Sequence, residues 1–212
     1  MPTQIKICGL STPETLKAAM DAGASHVGLN FYPPSPRYVS PERAVELAAL
    51  AGKCAVKVGV FVNADDEFLG ASIAAGALDA IQLHGVETPQ RAREVQSKFG
   101  LPVWKALAVS TAEDVAKARD YADAVDMILF DARTPKGALP GGMGLSFDWS
   151  LLNDNHGAAH WGLAGGLTTT NVGDAIRATG ATLVDTSSGV EIAPGVKDVD
   201  LIRAFCKAAL NN

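Results

Sequence analysis

Gln4-Ile5-Lys6-Ile7-Cys8-Gly9, with Thr12-Pro13 opening a helix-patterned run over residues 13–21, decides how the chain reads as a fold. An alternating apolar run of strand period ends abruptly in one ionisable side chain and a glycine. After a short loop, a cap residue and a first-turn proline start a helix. This strand–loop–helix unit recurs along the chain. Strand patterns fall at 4–8, 26–30, 55–63, 79–84, 102–107, 126–131, 160–164 and 182–185. Ala-rich helix patterns fall at 13–21, 41–50, 65–75, 89–99, 112–120, 171–178 and 199–210, with a weak one at 147–153. Ser40-Pro41 and Thr88-Pro89 repeat the cap, and Gly23, Gly76, Gly100 and Gly180 stand where a helix end needs a left-handed residue. Eight evenly spaced units predict an α/β protein, a single-domain (β/α)8 barrel of the TIM type over residues 1–212. A doubly wound open sheet is the alternative, and the unbroken pattern favours closure.

Side-chain parity orients the chemistry. On strand one Ile5 and Ile7 share the outer face, leaving Gln4, Lys6 and Cys8 inward. On strand four Ile81 and Leu83 point out, with Gln82 and His84 in. On strand six Ile128 and Phe130 point out, with Met127, Leu129 and Asp131 in. Strand three reads with Val58, Val60 and Val62 outward and Lys57, Phe61 and Asn63 inward. In several strands the inner face thus turns polar near its carboxyl end, a placement that core packing alone does not produce.

The 212 residues are 48% hydrophobic, enough to bury a full core. A net charge of −5 gives no electrostatic footprint for nucleic acid or an anionic membrane. No apolar run reaches spanning length, and Met1-Pro2-Thr3-Gln4 does not open a signal peptide. Cys8, Cys54 and Cys206 lack the number and spacing of a disulfide framework or zinc site, so free thiols in a reducing, cytoplasmic setting are expected. His26, His156 and His160 read as structural, and no metal site is expected.

Cys8 and Asp131 are the candidate catalytic pair. A lone cysteine is ordinarily a small buried hydrophobe. Cys8, however, ends strand one on the inner face, with Lys6 two residues below, and an ammonium there favours the thiolate that a base requires. Asp131 ends strand six before Ala132-Arg133-Thr134-Pro135-Lys136-Gly137 and Gly141-Gly142-Met143-Gly144. The bland reading is a solvated loop aspartate. A long loop of this kind also suits a lid under which a carboxyl group keeps its proton and acts as an acid. Gly165-Gly166 after strand seven and Ser187-Ser188-Gly189 after strand eight form the pair of loops that in barrels cradles a phosphate, by backbone N–H groups, hydroxyls and a helix amino terminus. Pro33-Pro34-Ser35-Pro36-Arg37 is a stiff loop presenting one guanidinium, a fork suited to a carboxylate. His84 is placed to contact substrate or to hold a loop.

Taken in order, KICG at 6–9, SPRYV at 35–39, VGVF at 58–61, QLHG at 82–85, LFD at 129–131, FDW at 147–149, AGGL at 164–167 and DTSSGVE at 185–191 resemble the phosphoribosylanthranilate isomerase family of tryptophan biosynthesis. Pro194-Gly195 and Lys197-Asp198 complete the last motif, and the motifs together cover nearly the whole chain. The resemblance implies a cofactor-free Amadori rearrangement of a phosphorylated small molecule in a monomer or homodimer. It makes Asp131 the acid and Cys8 the base, and gives Arg37 to the anthranilate carboxylate. It assigns Asp185 to a sugar hydroxyl or to the acid–base geometry, and the two glycine-bearing loops to the phosphate. This chain departs from the family in Met143 and Leu145, where threonine and a basic or small residue are usual, and in Asn30, usually apolar. The rivals are another phosphate-binding barrel such as indole-glycerol-phosphate synthase, which relies on lysines and glutamates at the strand ends, and a catalytically silent phosphosugar-binding barrel.

Overall fold

The computed structural model describes residues 3–134, 141–153 and 160–212; His156, residues 1–2 and residues 135–137 of the loop after strand six lie outside the described residues. Eight parallel strands close into a barrel in chain order: β1 (Gln4–Cys8), β2 (His26–Asn30), β3 (Val56–Phe61), β4 (Ala80–Leu83), β5 (Val103–Val109), β6 (Met127–Ala132), β7 (Trp161–Leu163) and β8 (Leu183–Thr186). Closure is made by β1 on β8, with Lys6 opposite Asp185. The open-sheet alternative is thereby set aside. Helices α1 (Pro13–Asp21), α2 (Pro41–Ala51), α3 (Asp66–Gly76), α4 (Pro89–Phe99), α5 (Ala112–Ala116), α6 (Val172–Thr179) and α7 (Val199–Leu210) surround it. The Trp149–Leu152 turn, a single 3-10 turn, stands between β6 and β7, where the helix pattern is weak. No helix among the described residues is long and apolar enough to cross a membrane.

The caps form as their residue types dictate. Thr12, Ser40 and Thr88 each accept a hydrogen bond from the backbone N–H three residues on, ahead of a first-turn proline. Gly100 and Gly180 take the left-handed conformation at C-caps. Gly76 does not. It is the last residue of α3, and Ala77 takes the left-handed place with φ of 41°. Gly76 is small for a packing reason, since a Cβ there would lie 2.6 Å from Leu78.

Two apolar layers result. Ile5, Ile7, Ile81, Leu83, Ile128 and Phe130 face the helices, whereas Val58, Ala80, Trp104, Ala106, Leu129, Ala164 and Leu183 fill the barrel. Parity is therefore as expected for β1, β4 and β6 and reversed for β3. Val58 lies inside the barrel, and Phe61 lies outside, stacked on Phe31 with centroids 5.2 Å apart. Lys57 leaves the barrel and pairs with Asp79 at 2.7 Å. The reason is that a parallel strand is buried on both faces. The valines suit either face, and the lysine's long stem carries its ammonium outward to a partner. A short antiparallel hairpin, β9 (Glu191–Ala193) with β10 (Val196–Lys197), follows β8 and turns at Pro194-Gly195.

Candidate active site

One cavity at the carboxyl end of the barrel brings together Cys8, Arg37, His84, Asp131, Gly165, Gly166, Asp185 and Ser187. Ser188 lines the adjoining hollow instead, with Met143 and Ile192. Gly189 lines neither; it packs so closely on the backbone carbonyl of Leu167 that no Cβ would fit. The cavity opens to solvent at its mouth and its inner space is about 60 Å³. Gly141 fills the mouth, where a Cβ would lie 3.0 Å from both Asp131 Oδ2 and His84 Nε2.

At the base of the site Lys6 is wholly buried, and its Nζ donates to Asp185 Oδ2 at 2.8 Å. Burial alone would lower the Lys6 pKa, but the facing Asp185 carboxylate leads the interactions that outweigh it and keep the ammonium charged. Asp185 Oδ1 is buried and, among the described residues, unpaired, an acceptor left over at the cavity wall. Cys8 ends β1 above this pair. Gly28 on the neighbouring strand makes room for it, since a Cβ there would lie 2.9 Å from Cys8 Sγ. Lys6 does not depress the thiol as its spacing predicted. Burial pushes the Cys8 thiol up, against the pull of Lys6 and Lys197, because the Lys6 charge is already balanced by Asp185.

Asp131 ends β6 on the inner face. Its Oδ1 accepts from the Ala132 N–H at 2.9 Å, and its Oδ2 lies 3.2 Å from His84 Nε2. His84 is therefore a partner of the acidic residue, and Gln82 behind it lies 2.9 Å from His84 Nδ1.

Arg37 is not a free fork. Its Nε and Nη2 are bound side-on by Glu191 at 2.8 and 2.7 Å, and Nη2 also donates to Gly142 O at 2.9 Å. That leaves Nη1 without a hydrogen-bond partner among the described residues. Lys197 donates to the same Glu191 at 2.7 Å and to the carbonyl and hydroxyl oxygens of Ser187 at 2.9 and 3.1 Å. Ser187 Oγ in turn donates to Cys8 O at 3.1 Å, so its hydroxyl is spent on the scaffold. Burial alone would raise Glu191's pKa, but Arg37 and Lys197 outweigh it and hold it low.

Sequence reasoning missed Glu191 and Lys197 as parts of the site. Glu191 is separated from Arg37 by 154 residues, and no local spacing announces the pairing. Asn30 gave a signal in its departure from an apolar residue. Its Oδ1 accepts from the Tyr32 N–H at 2.9 Å and its Nδ2 donates to Ser35 Oγ at 3.3 Å, which shapes the loop carrying Arg37. Among the described residues, no group of three or more His, Cys, Asp or Glu side chains is arranged to hold a metal ion.

Parallel barrels work at the carboxyl-terminal mouth, and in this chain that mouth gathers Cys8, Arg37, His84, Asp131 and Asp185, with Asp185 Oδ1 buried and unpaired among the described residues. It is a (β/α)8 barrel enzyme by fold and site. The family profile for N-(5'-phosphoribosyl)anthranilate (PRA) isomerase matches residues 5–208. The N-(5'-phosphoribosyl)anthranilate isomerase of Paramagnetospirillum magneticum is 51% identical over 210 residues, 99% of this chain and 98% of the relative. The crystal structure of phosphoribosyl anthranilate isomerase from Thermotoga maritima superposes with a TM-score of 0.89 at 37% identity, over 99% of this chain and 100% of that one. A structure of the isomerase in complex with reduced 1-(o-carboxyphenylamino)-1-deoxyribulose 5-phosphate gives 0.86 at 36% identity, over 99% and 100%. The chain belongs to the PRA isomerase family.

Proposed function

We propose that this protein converts N-(5-phosphoribosyl)anthranilate into 1-(2-carboxyphenylamino)-1-deoxyribulose 5-phosphate, an Amadori rearrangement in tryptophan biosynthesis. The observation that carries the reading is the meeting of a thiol and a carboxyl group from opposite sides of the barrel, Cys8 on β1 and Asp131 on β6, in one cavity. In this mechanism Asp131 gives a proton to the furanose ring oxygen as the C1′–O bond breaks, leaving a protonated Schiff base. Cys8 then takes the proton from C2′, and the electrons of that C–H bond flow to the Schiff-base nitrogen to give an enolamine, which tautomerises to the ketone. In the free enzyme the thiol holds its proton. Before it acts as the base the thiol releases that proton to solvent, a loss favoured once the cationic Schiff base forms beside it and adds the positive charge that Lys6, paired with Asp185, does not supply.

The remaining residues bind. Asp185 Oδ1 is free to accept from a sugar hydroxyl, and Arg37 meets the anthranilate carboxylate through Nη1. The phosphate lies against the backbone N–H groups of Gly165, Gly166 and Ser187, flanked by Ser188 and Gly189 at the head of the turn after β8. Residues 1–212 form one barrel domain and the enzyme works in the cytoplasm without a cofactor. The test is the loss of fluorescence of freshly generated phosphoribosylanthranilate. Enzyme-dependent consumption with first-order dependence on protein concentration supports the reading. Tight binding of the substrate with no consumption would instead make this a silent phosphosugar-binding barrel.

A further inference from the structure

Gln82 is wholly buried on β4, inward-facing and two residues before His84. Its Nε2 lies 2.9 Å from His84 Nδ1, and its Oε1 is buried with no hydrogen-bond partner among the described residues. An amide nitrogen only donates, so in this arrangement Nδ1 accepts and the imidazole proton is on Nε2, facing Asp131 Oδ2 at 3.2 Å. Asp131 Oδ1 is already occupied by the Ala132 N–H. Both carboxylate oxygens are then acceptors, and the pair holds no proton to deliver.

Adding that proton changes the requirement at the far nitrogen. With Oδ1 occupied, the new proton sits between Oδ2 and Nε2, whether as carboxylic acid with imidazole or as carboxylate with imidazolium. In both forms the other imidazole proton is on Nδ1 and needs an acceptor. Half a turn of the Gln82 carboxamide supplies one, bringing Oε1 to Nδ1 and satisfying the oxygen that is otherwise orphaned. We infer that Gln82 is a positioning residue that loads the His84–Asp131 pair with the proton passed to substrate, its carboxamide turning between two orientations. This rests on the acid role proposed for Asp131.

The other charges facing the pair are bound to partners of their own, although Asp185 is felt by both Asp131 and His84 across the cavity. Asp185 from β8 is held by Lys6 from β1, Cys8 stands across the cavity, and Arg37 is bound by Glu191. The inner faces of β3, β5 and β7 bring apolar residues, and Lys105 of β5 is tied to Glu87 at 3.0 Å and to the Leu83 and Gly85 carbonyls. Among the described residues only Gln82 hydrogen-bonds Nδ1.

The experiment is a pH titration of nitrogen-15 histidine-labelled protein, with the His84 signals assigned by their loss in His84→Asn. At high pH wild-type His84 is expected as the Nε2–H tautomer, a measurement that needs no Gln82 variant to fold. Gln82→Met removes the acceptor for a charged donor and should weaken proton binding by the pair about tenfold, lowering its titration midpoint by about one pH unit. Gln82→Glu keeps an acceptor and should return the midpoint to the wild-type value or above, and the alkaline limb of kcat/KM should follow the same order. An Nδ1–H tautomer at high pH overturns the inference, as does a Gln82→Met midpoint within about 0.3 unit of wild type. So does a Gln82→Glu midpoint lowered as far as that of Gln82→Met. Titrations that behave as expected in a protein that leaves phosphoribosylanthranilate unconsumed would support this coupling and overturn the proposed reaction instead.

Discussion

His26 carries a stability prediction whose size follows from its surroundings. The imidazole sits at the bottom of the barrel, 7% exposed, tilted against Trp104 with ring centroids 5.3 Å apart. Burial, with the Lys6 ammonium adding to it, pushes its pKa down from 6.5 to about 4. Above pH 6.5 it is neutral in both folded and unfolded chains and costs nothing. As pH falls, the unfolded chain binds a proton that the folded barrel refuses, so stability declines from about pH 6.5 and the loss is complete below about pH 4. A fall from 6.5 to about 4, at about 1.4 kcal/mol per pH unit, is about 3.5 kcal/mol in all, of which about 2 kcal/mol is lost by pH 5. His26→Asn keeps a polar group but removes the titration. Urea unfolding of both proteins at pH 7.5 and pH 5 isolates the effect, because acid losses from carboxylates are common to both. The wild-type protein should lose about 2 kcal/mol more than the variant over that interval. Equal losses would mean that imidazolium is accommodated beside Lys6 and that the burial argument fails.

Two further predictions concern the site. With burial pushing the Cys8 thiol up, iodoacetamide alkylation of Cys8 in a Cys54→Ser background should rise about tenfold per pH unit up to and past the free-thiol pKa of about 8.5; a plateau below that value would refute it. Gly166 has φ of +63°, and a Cβ there would lie 2.7 Å from Leu145 O, so any side chain strains the loop. Gly166→Ala should therefore raise KM, and Gly166→Asp should raise it about tenfold or more beyond that through charge repulsion of the phosphate. Equal KM values in the two variants would move the phosphate elsewhere.

Much of this molecule was legible because its signals are local. Thr12, Thr88 and Asp198 each cap a helix by a bond from three residues on, and the β1 and β2 patterns are local, so β1, α1, β2, α4 and α7 were readable to the residue. Cys8 and Asp131 were legible for the same reason, as polar ends of apolar runs. What was hidden depended on distance. The valines of β3 fit either face, and only the closed barrel shows that they fill its interior while Lys57 reaches out to Asp79. The Glu191 clamp on Arg37 changes the arginine from a two-pronged ligand into a single free nitrogen, and it comes from a hairpin that the sequence showed only as a motif. The spacing of Lys6 and Cys8 correctly put them on one face. It could not show that Asp185, opposite Lys6 across the closing seam of the barrel, takes up the charge meant for the thiol.

Single-turnover conversion of C2′-deuterated phosphoribosylanthranilate, by wild type and by Cys8→Ser, tests most directly whether this site does acid–base work on the sugar. Serine is nearly the same size but cannot supply an anion near neutral pH. Wild type should show a primary isotope effect, and Cys8→Ser should convert substrate about two to four orders of magnitude more slowly with its fold intact, the usual scale for losing a general base. A Cys8→Ser enzyme that keeps more than about a tenth of the wild-type single-turnover rate would contradict the assignment of Cys8 as the base.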